Sequence, residues 1–277
     1  MGADVGTDMN RYRVALIALV AAVALAGCGG LGGDSGTPTQ SPANGTQANT
    51  TADTSAPYAL PLNGTGIQER HRAALMDANT FVFRQSAVVR SADTGAPLQF
   101  TNVSAQVALS SGTYRLFEAA TTTNPTDAYV DENGTVYLRE QSDGQIGYDR
   151  QSGAENTANT YVYPDINRYL RGLDYSYDGT EQVDGETVFV YGANGTDRLD
   201  PDTHGLNLLE PSNLSAISAE LRVAEDGTVR SFRYDVTGTA AEGDRIRYVV
   251  NVDYTQIGST SVREPSWLDQ AKRVTGE

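Results

Sequence analysis

The sequence is poor in the residue types on which most catalytic and metal chemistry depends. Its 277 residues contain one cysteine, Cys28, two histidines, His71 and His204, and one lysine, Lys272. A single cysteine excludes a disulfide within the chain and a zinc site built from several thiolates. Two histidines leave little material for a histidine base, and Gly-x-Ser-x-Gly, His-Glu-x-x-His and phosphate-loop motifs are absent from the sequence. We therefore predict neither an enzyme nor a metal or cofactor site.

Positive charge is also scarce. The chain has 20 Lys+Arg against 35 Asp+Glu, which gives a formal net charge of −15. Nucleic-acid binding depends on clustered cationic side chains, so we predict that the chain does not bind nucleic acid. The acid excess, with arginine at all but one basic position, indicates a halophile, because carboxylates keep a protein in solution when 1 M salt screens charges beyond about 3 Å. The alternative is an acidic exported domain from a GC-rich genome, whose codons favour arginine.

The N-terminal region carries the strongest motif. Arg11 and Arg13 precede a 13-residue apolar run, Val14–Ala26, which is shorter than the roughly 20 residues that span a bilayer but suits a secretory signal peptide. The run ends in a lipobox, Leu25-Ala26-Gly27-Cys28. The only cysteine occupies the one position where lipidation requires a thiol, so we predict a signal peptide over residues 1–27 and lipid attachment at Cys28. The alternative is a buried core cysteine. The true start is either Met1 or Met9.

The residues after the lipobox predict a tether and then one domain. Residues 28–57 are rich in Gly, Ser, Thr and Pro, a composition typical of a flexible coil. The 29 residues after Cys28, Gly29–Pro57, would span about 30 Å, from roughly 5–6 Å times the square root of their number. Residues 58–277 are long enough for one core and are predicted to form a single, monomeric domain. The predicted location is the cell membrane, with the domain anchored by lipid and facing the exterior.

Periodicity within 58–277 predicts three helices and many strands. Helices are expected over Gly66–Asn79, with a Thr65–Gln68 capping box, over Pro164–Leu173, and after Ser266 as an N-cap. His71, on the apolar face of the first helix, is interpreted as a packing residue. Alternation predicts strands within 103–109, 114–118, 128–130, 136–139, 175–182, 187–191, 217–223, 232–236 and 246–254, with turns at Asn133-Gly134, Asp184-Gly185, Asp226-Gly227 and 240–244.

Element order and short motifs resemble a known family. The stretches Val183–Val190, Ala219–Val229 and Tyr254–Pro265, the last with its Ile257-Gly258 step, are similar to the LolA and LppX/LprG type of lipoprotein carrier. In composition they also resemble uncharacterised lipoproteins of halophilic archaea. The resemblance covers roughly residues 66–268. It implies an α+β fold in which a strongly curved antiparallel β-sheet, a half-barrel, has an N-terminal helix and one or two short helices packed on its concave face, around an apolar cavity that holds acyl chains.

The resemblance implies a function as well as a fold. We expect a lipid-anchored surface lipoprotein that binds or carries a hydrophobic, lipid-like ligand. The alternative is a non-enzymatic envelope protein that uses the same fold for protein contact or adhesion. A second open question is whether the helices and large side chains, among them Phe81, Phe83 and Tyr254, simply fill the interior. The expected cavity lining is Val107, Leu116, Val188, Leu221, Phe232, Tyr248 and Val250.

Two further patterns concern surface loops. Asp200, Asp202 and Gly205 imitate the start of a calcium loop, but Pro211 stands where the bidentate glutamate is needed, so a solvated acidic loop is the preferred interpretation. Seven Asn-x-Ser/Thr sequons predict surface asparagines, and an exported chain can be glycosylated at some of them. They are Asn44, Asn49, Asn63, Asn102, Asn133, Asn194 and Asn213.

Overall fold

A computed structural model describes residues 58–120, 125–142, 144–152, 158–162, 166–200, 209, 211–240 and 243–276, all within one compact unit, Pro57–Glu277. In these residues the strands are β1 (Thr80–Ser91), β2 (Pro97–Ala108), β3 (Thr113–Ala119), β4 (Thr126–Val130), β5 (Val136–Ser142), β6 (Gln145–Gln151), β7 (Ser176–Val183), β8 (Glu186–Asn194), β9 (Leu214–Ala224), β10 (Val229–Thr239) and β11 (Arg245–Thr255). The helices are α1 (Gly64–Ala78), α2 (Ile166–Leu170) and α3 (Leu268–Thr275), and 3₁₀ turns occupy Ala158–Val162, Thr196–Arg198 and Pro211–Asn213.

The strands form one antiparallel sheet of eleven strands in the order β6-β5-β4-β3-β2-β1-β11-β10-β9-β8-β7. Every pair except one joins strands that follow each other in the chain. The exception is β1 with β11, where Phe83 lies opposite Tyr254. Among the described strands β6 and β7 are the two edges, so the sheet is open. This confirms the large antiparallel sheet that the sequence predicts.

Local sequence explains the hairpins. At the β7–β8 turn Asp184 and Gly185 both have positive φ, 52° and 83°, as a two-residue turn that matches strand twist requires. At the β4–β5 turn the Asp131 carboxylate accepts hydrogen bonds from the backbone N–H groups of Asn133 and Thr135, both at 2.9 Å. These turns, and the one at Asp226-Gly227, lie where the sequence predicts them.

One face of the sheet, which we call the covered face, carries Phe83, Phe232 and Tyr254 and is overlaid by helical segments. From α1, His71 contributes a ring whose centroid lies 4.5 Å from that of Tyr254. From α2, the Tyr169 ring lies 5.3 Å from that of Phe232. Burying these rings removes large apolar areas from water and supplies much of the core.

The opposite face carries α3. Trp267, Leu268 and Ala271 pack with Tyr129 and Tyr137 in one buried cluster. The register places Tyr129 opposite Arg115, on the face away from Leu116. The short helix α3 therefore lies on the face opposite to the predicted one. The reason is that β4 and β5 are apolar on both faces. Their buried residues are Ala128, Tyr129, Val136, Tyr137 and Leu138.

Both predicted helix caps are wrong. The side chain of Asn63, not Thr65, caps α1 by accepting a hydrogen bond from Gly66 N at 3.1 Å, and the helix begins two residues earlier than predicted. Asparagine is among the best N-cap residues because its short side chain reaches the free N–H groups of the first turn. At the other end of the domain, Trp267 rather than Ser266 precedes α3, without a side-chain cap.

Candidate functional site

Six of the seven residues predicted to line a cavity lie on the covered face. The register places Leu221 opposite Phe232, and Val250 opposite Tyr234. On the other side of β1, Val107 lies opposite Phe81. Five of the six are at most 6% exposed, and Tyr248 is only partly buried. The members are Val107, Leu116, Leu221, Phe232, Tyr248 and Val250.

Val188 is the exception and is corrected here. It is fully buried, but it pairs across the strands with Ala224 and Glu181. Its side chain therefore lies on the same face as Arg222, and Leu221 lies on the other face. The reason is visible in the sequence of β8, where Val188–Tyr191 are four consecutive apolar residues. Alternation cannot tell which two of them point toward the covered face.

Aromatic side chains fill much of the covered face. The Tyr161 ring, from the Ala158–Val162 turn, lies 5.6 Å from both Phe83 and Tyr114, and its neighbour Val162 is fully buried. The Tyr254 hydroxyl donates to Tyr161 O at 2.9 Å. This packing matches the alternative in which large side chains occupy the interior.

A part of the covered face is only partly buried. Ala87 and Val89 of β1 and Tyr248 of β11 lie side by side, with Val89 opposite Tyr248, and Thr101 of β2 lies opposite Ala87. All four side chains are partly buried. We call these four residues the strip. Its apolar members form a contact surface next to fully buried neighbours such as Val250.

Polar groups stand at one end of the strip. The hydroxyls of Tyr248 and Tyr169 are hydrogen bonded to each other, and burial raises the pKa of Tyr248 above its ordinary value, partly offset by the Arg168 guanidinium. The pKa of Tyr234 rises for the same reason, with Tyr175 and Tyr169 adding to the increase. This end therefore offers tyrosine hydroxyls and one cation.

An acidic group stands toward the other end. Glu118 lies two residues after the inward-facing Leu116 on β3, so the two side chains share the covered face. It is paired with Val103 of β2 and Thr126 of β4. Burial raises the pKa of its carboxyl to about 7. The sequence reasoning missed it, although a glutamate at an apolar position of an alternating strand is a usable signal. It also missed β1, and with it Ala87 and Val89.

His71 is a packing residue, in agreement with its interpretation from sequence. It is fully buried, and its Nδ1 accepts a hydrogen bond from Val229 N at 3.1 Å. Burial lowers its pKa to about 3, so the ring is neutral at ordinary pH. This hydrogen bond joins α1, which carries His71, to the first residue of β10.

Three clefts open elsewhere on the described surface. The largest, of about 730 Å³, lies between residues 61–65, α2 and residues 197–200, and an ion pair of Arg198 with Asp174 at 2.8 Å stands on its rim. The others hold about 520 and 570 Å³. The residues predicted to line a cavity, like those of the strip, line none of the three.

The remaining predicted sites divide between described and undescribed residues. Leu25, Ala26, Gly27 and Cys28 lie outside the described residues, as do Asn44, Asn49, Asp202 and Gly205. The other five sequon asparagines, Asn63, Asn102, Asn133, Asn194 and Asn213, are all exposed. Within the described part of the chain there is no helix long and apolar enough to cross a membrane, and no group of three or more His, Cys, Asp or Glu placed to hold a metal.

The family model that matches residues 13–271 is that of a family of unknown function, DUF7537. The chain belongs to this family. None of the curated proteins compared with the chain matches it.

Solved structures that resemble the chain include LprF, the lipoprotein LppX and a LolA superfamily protein. LprF from Mycobacterium bovis is 13% identical, with a TM-score of 0.38, over 73% of this chain and 96% of that chain. The Mycobacterium tuberculosis lipoprotein LppX is 10% identical, with a TM-score of 0.29, over 73% and 99%. A LolA superfamily protein from Nitrosomonas europaea is 10% identical, with a TM-score of 0.19, over 74% and 95%. All three TM-scores lie below 0.5, so these similarities assign no ligand to this chain.

Proposed function

We propose that the protein is a lipid-anchored surface lipoprotein that binds a hydrophobic, lipid-like molecule on the covered face of its sheet. The observation that carries the proposal is the strip, in which Ala87, Val89 and Tyr248 leave adjacent apolar surface partly open beside fully buried residues of the same face, such as Val250. Apolar surface with a few polar groups at its ends is the usual composition of a small-molecule site. The hydroxyls of Tyr169 and Tyr248 supply such groups.

The anchor rests on Cys28 and its lipobox. Because the lipid can be attached only through the thiol, we expect Cys28→Ser to move the protein from the membrane fraction to the medium when the two fractions are blotted. Ser35→Ala, which replaces a polar residue of the predicted tether, is the control and should stay with the membrane. Unchanged membrane retention of Cys28→Ser would refute the anchor.

Ligand binding is tested with dodecanol, a neutral hydrocarbon probe, titrated calorimetrically into the purified protein. Val88 and Val89 are adjacent on β1 and both partly buried, but they lie on opposite faces. A charge at Val89 would be desolvated by a hydrocarbon chain lying on it. We therefore expect Val89→Glu to weaken dodecanol binding at least tenfold and Val88→Glu to leave it within twofold.

Two results would overturn the ligand proposal. One is the absence of dodecanol binding to the unsubstituted protein, together with the absence of co-purified lipid in native mass spectra. The other is equal weakening by Val88→Glu and Val89→Glu, since a charge on either face would then act only through stability. Thermal melts of both variants check that they remain folded.

A second candidate function is protein contact. It is favoured by the filled covered face and by apolar residues on the opposite face, where Val88 lies opposite Phe100 and Val249 and all three are partly buried. Leu98, at the adjoining irregularity of β2, is 61% exposed. Loss of a partner by Val88→Glu with unchanged dodecanol binding would support this function.

A further inference from the structure

Glu118 is a carboxylate in apolar surroundings. Of its neighbours on the covered face, Val103 is 4% exposed and Leu116 is 6% exposed. The Glu118 side chain itself is partly buried. A carboxylate in such a place loses hydration, and the loss is costly unless a cation or hydrogen-bond donors replace the water.

No such replacement is present among the described residues. Tyr161, from the turn above, and Tyr114, on the same strand, are the titratable groups nearest to this part of the face, and the Glu118 charge raises the pKa of Tyr161. From β5, Glu140 lies opposite Thr126 on the same face. Within the described residues the Glu118 carboxylate has neither an ion pair nor a hydrogen bond. Its surroundings add no positive charge.

Three other partly buried or buried acids of the domain lie beside arginines. Asp127 is 2.9 Å from Arg115, Glu186 pairs with Arg230, and the pKa of Asp235 is lowered by the hydrogen bond from Arg247. Arginine supplies all but one of the 20 basic residues of the chain. Among the described residues Glu118 has no such arginine.

The position of Glu118 relates it to the strip. Through Val103 and Gln85, Glu118 shares a cross-strand row with Val252, whereas Tyr248 lies four residues further along β11. With strands about 4.8 Å apart and a rise of about 3.4 Å per residue, Thr101 is about 8 Å from Glu118, Ala87 about 12 Å and Tyr248 about 20 Å. A dodecyl chain that begins beside the carboxylate would therefore lie over Thr101 and Ala87 and end short of Tyr248.

We propose that Glu118 binds the ammonium group of an amphiphilic ligand whose hydrocarbon part lies against the strip, an inference that rests on the proposed function. The ammonium supplies the charge-assisted hydrogen bonds that the carboxylate lacks. The neutral tyrosine hydroxyls, with Arg168, lie beyond the hydrocarbon terminus of the ligand.

The test compares dodecylamine with dodecanol, which share a chain and differ in the head group. At pH 8 we expect the unsubstituted protein to bind dodecylamine at least tenfold more tightly than dodecanol. Glu118→Gln should abolish this preference and leave dodecanol affinity within twofold. Glu140→Gln, at a neighbouring acid of the same face, should keep the preference.

A measurement on the unsubstituted protein makes the test independent of any variant. An alkyl amine stays protonated below about pH 10, whereas Glu118 ionises near pH 7. Dodecylamine affinity should therefore rise about tenfold from pH 6 to pH 8, the ratio of ionised fractions for a pKa of about 7. Dodecanol affinity should stay constant.

The outcomes separate the two proposals. If both probes bind but dodecylamine shows no preference, no pH dependence and no sensitivity to Glu118→Gln, then the inference fails and the proposed function stands. If neither probe binds, both fail. If Glu140→Gln removes the preference as fully as Glu118→Gln, the attraction is a general effect of acidic charge and the assignment to Glu118 is wrong.

Discussion

The two halves of the opposite face differ in how they meet solvent. Over β4–β6 the face presents Tyr129, Tyr137 and Tyr148, and α3 covers it through Trp267. Over β9–β11 the same face presents charged side chains, such as Arg247 paired with Asp235. The difference teaches that a helix on the opposite face is needed only where the strands are apolar on both faces. Strict alternation in β9–β11 makes a cover unnecessary there.

The largest expected difference between the two halves of the opposite face comes from truncating Trp267, through which α3 covers β4–β6. Trp267 is 8% exposed, and its Nε1 donates to Asp127 at 2.8 Å. Trp267→Ala leaves a cavity and removes one of the hydrogen bonds that the buried Asp127 carboxylate accepts, so we expect it to lower the free energy of unfolding by about 3–5 kcal/mol in denaturant titrations. Arg247→Ala in the other half, where the guanidinium is 48% exposed, should cost about 0.2–1 kcal/mol. Equal losses would contradict the contrast between the halves.

A smaller effect on stability arises at the covered face, and unlike the substitutions in the two halves of the opposite face it depends on pH. The buried His71 has a pKa of about 3 in the folded protein and about 6.5 when unfolded. The unfolded chain therefore takes up the proton first, and the stability that neutral His71 provides is present above pH 6.5 and lost as the pH falls from 6.5 toward 3. Between pH 7 and pH 5 the loss should be about 2 kcal/mol.

The control is His71→Asn, whose amide oxygen can accept from Val229 N but does not titrate. Glu118 acts in the opposite direction over the same range, because its raised folded pKa makes protonation stabilising between about pH 7 and pH 4.5. The His71 contribution is therefore the difference between the two proteins at each pH, measured by denaturant titration at constant salt. Parallel pH profiles would show that His71 is not the titrating group.

Sequence reasoning succeeds where a pattern is local. Strands β9–β11 alternate strictly, and glycine turns separate them, so their order, pairing and inward residues, including Phe232 and Val250, could be predicted, although β10 extends three residues further at each end than predicted. It fails at β1, where Phe81, Val82 and Phe83 are buried in succession and the partner strand β11 is distant in the chain. It also fails at Val188, which stands in an apolar run without alternation.

The candidate site illustrates the same limit. Alternation identifies which residues of a strand share a face, and it placed six of the seven predicted lining residues on the covered face. It contains no information on what a loop delivers to that face. Tyr161 and Tyr169 come from the segment between β6 and β7, and their rings decide where space remains. The strip and Glu118 become visible only once those rings are in place.

The pairing of β1 with β11 also governs when the sheet can be completed. Val82 lies opposite Thr255, a separation of 255 − 82 = 173 residues, whereas every other pair joins neighbours in the chain. Contacts of such separation form slowly, because a long loop must close before they contribute. Each meander, β1–β6 and β7–β11, can assemble as its own hairpins emerge. Until β11 arrives, the central strand β1 is a bare edge able to pair with another chain. The chain is thus most vulnerable to aggregation before β11, Arg245–Thr255, becomes available for pairing.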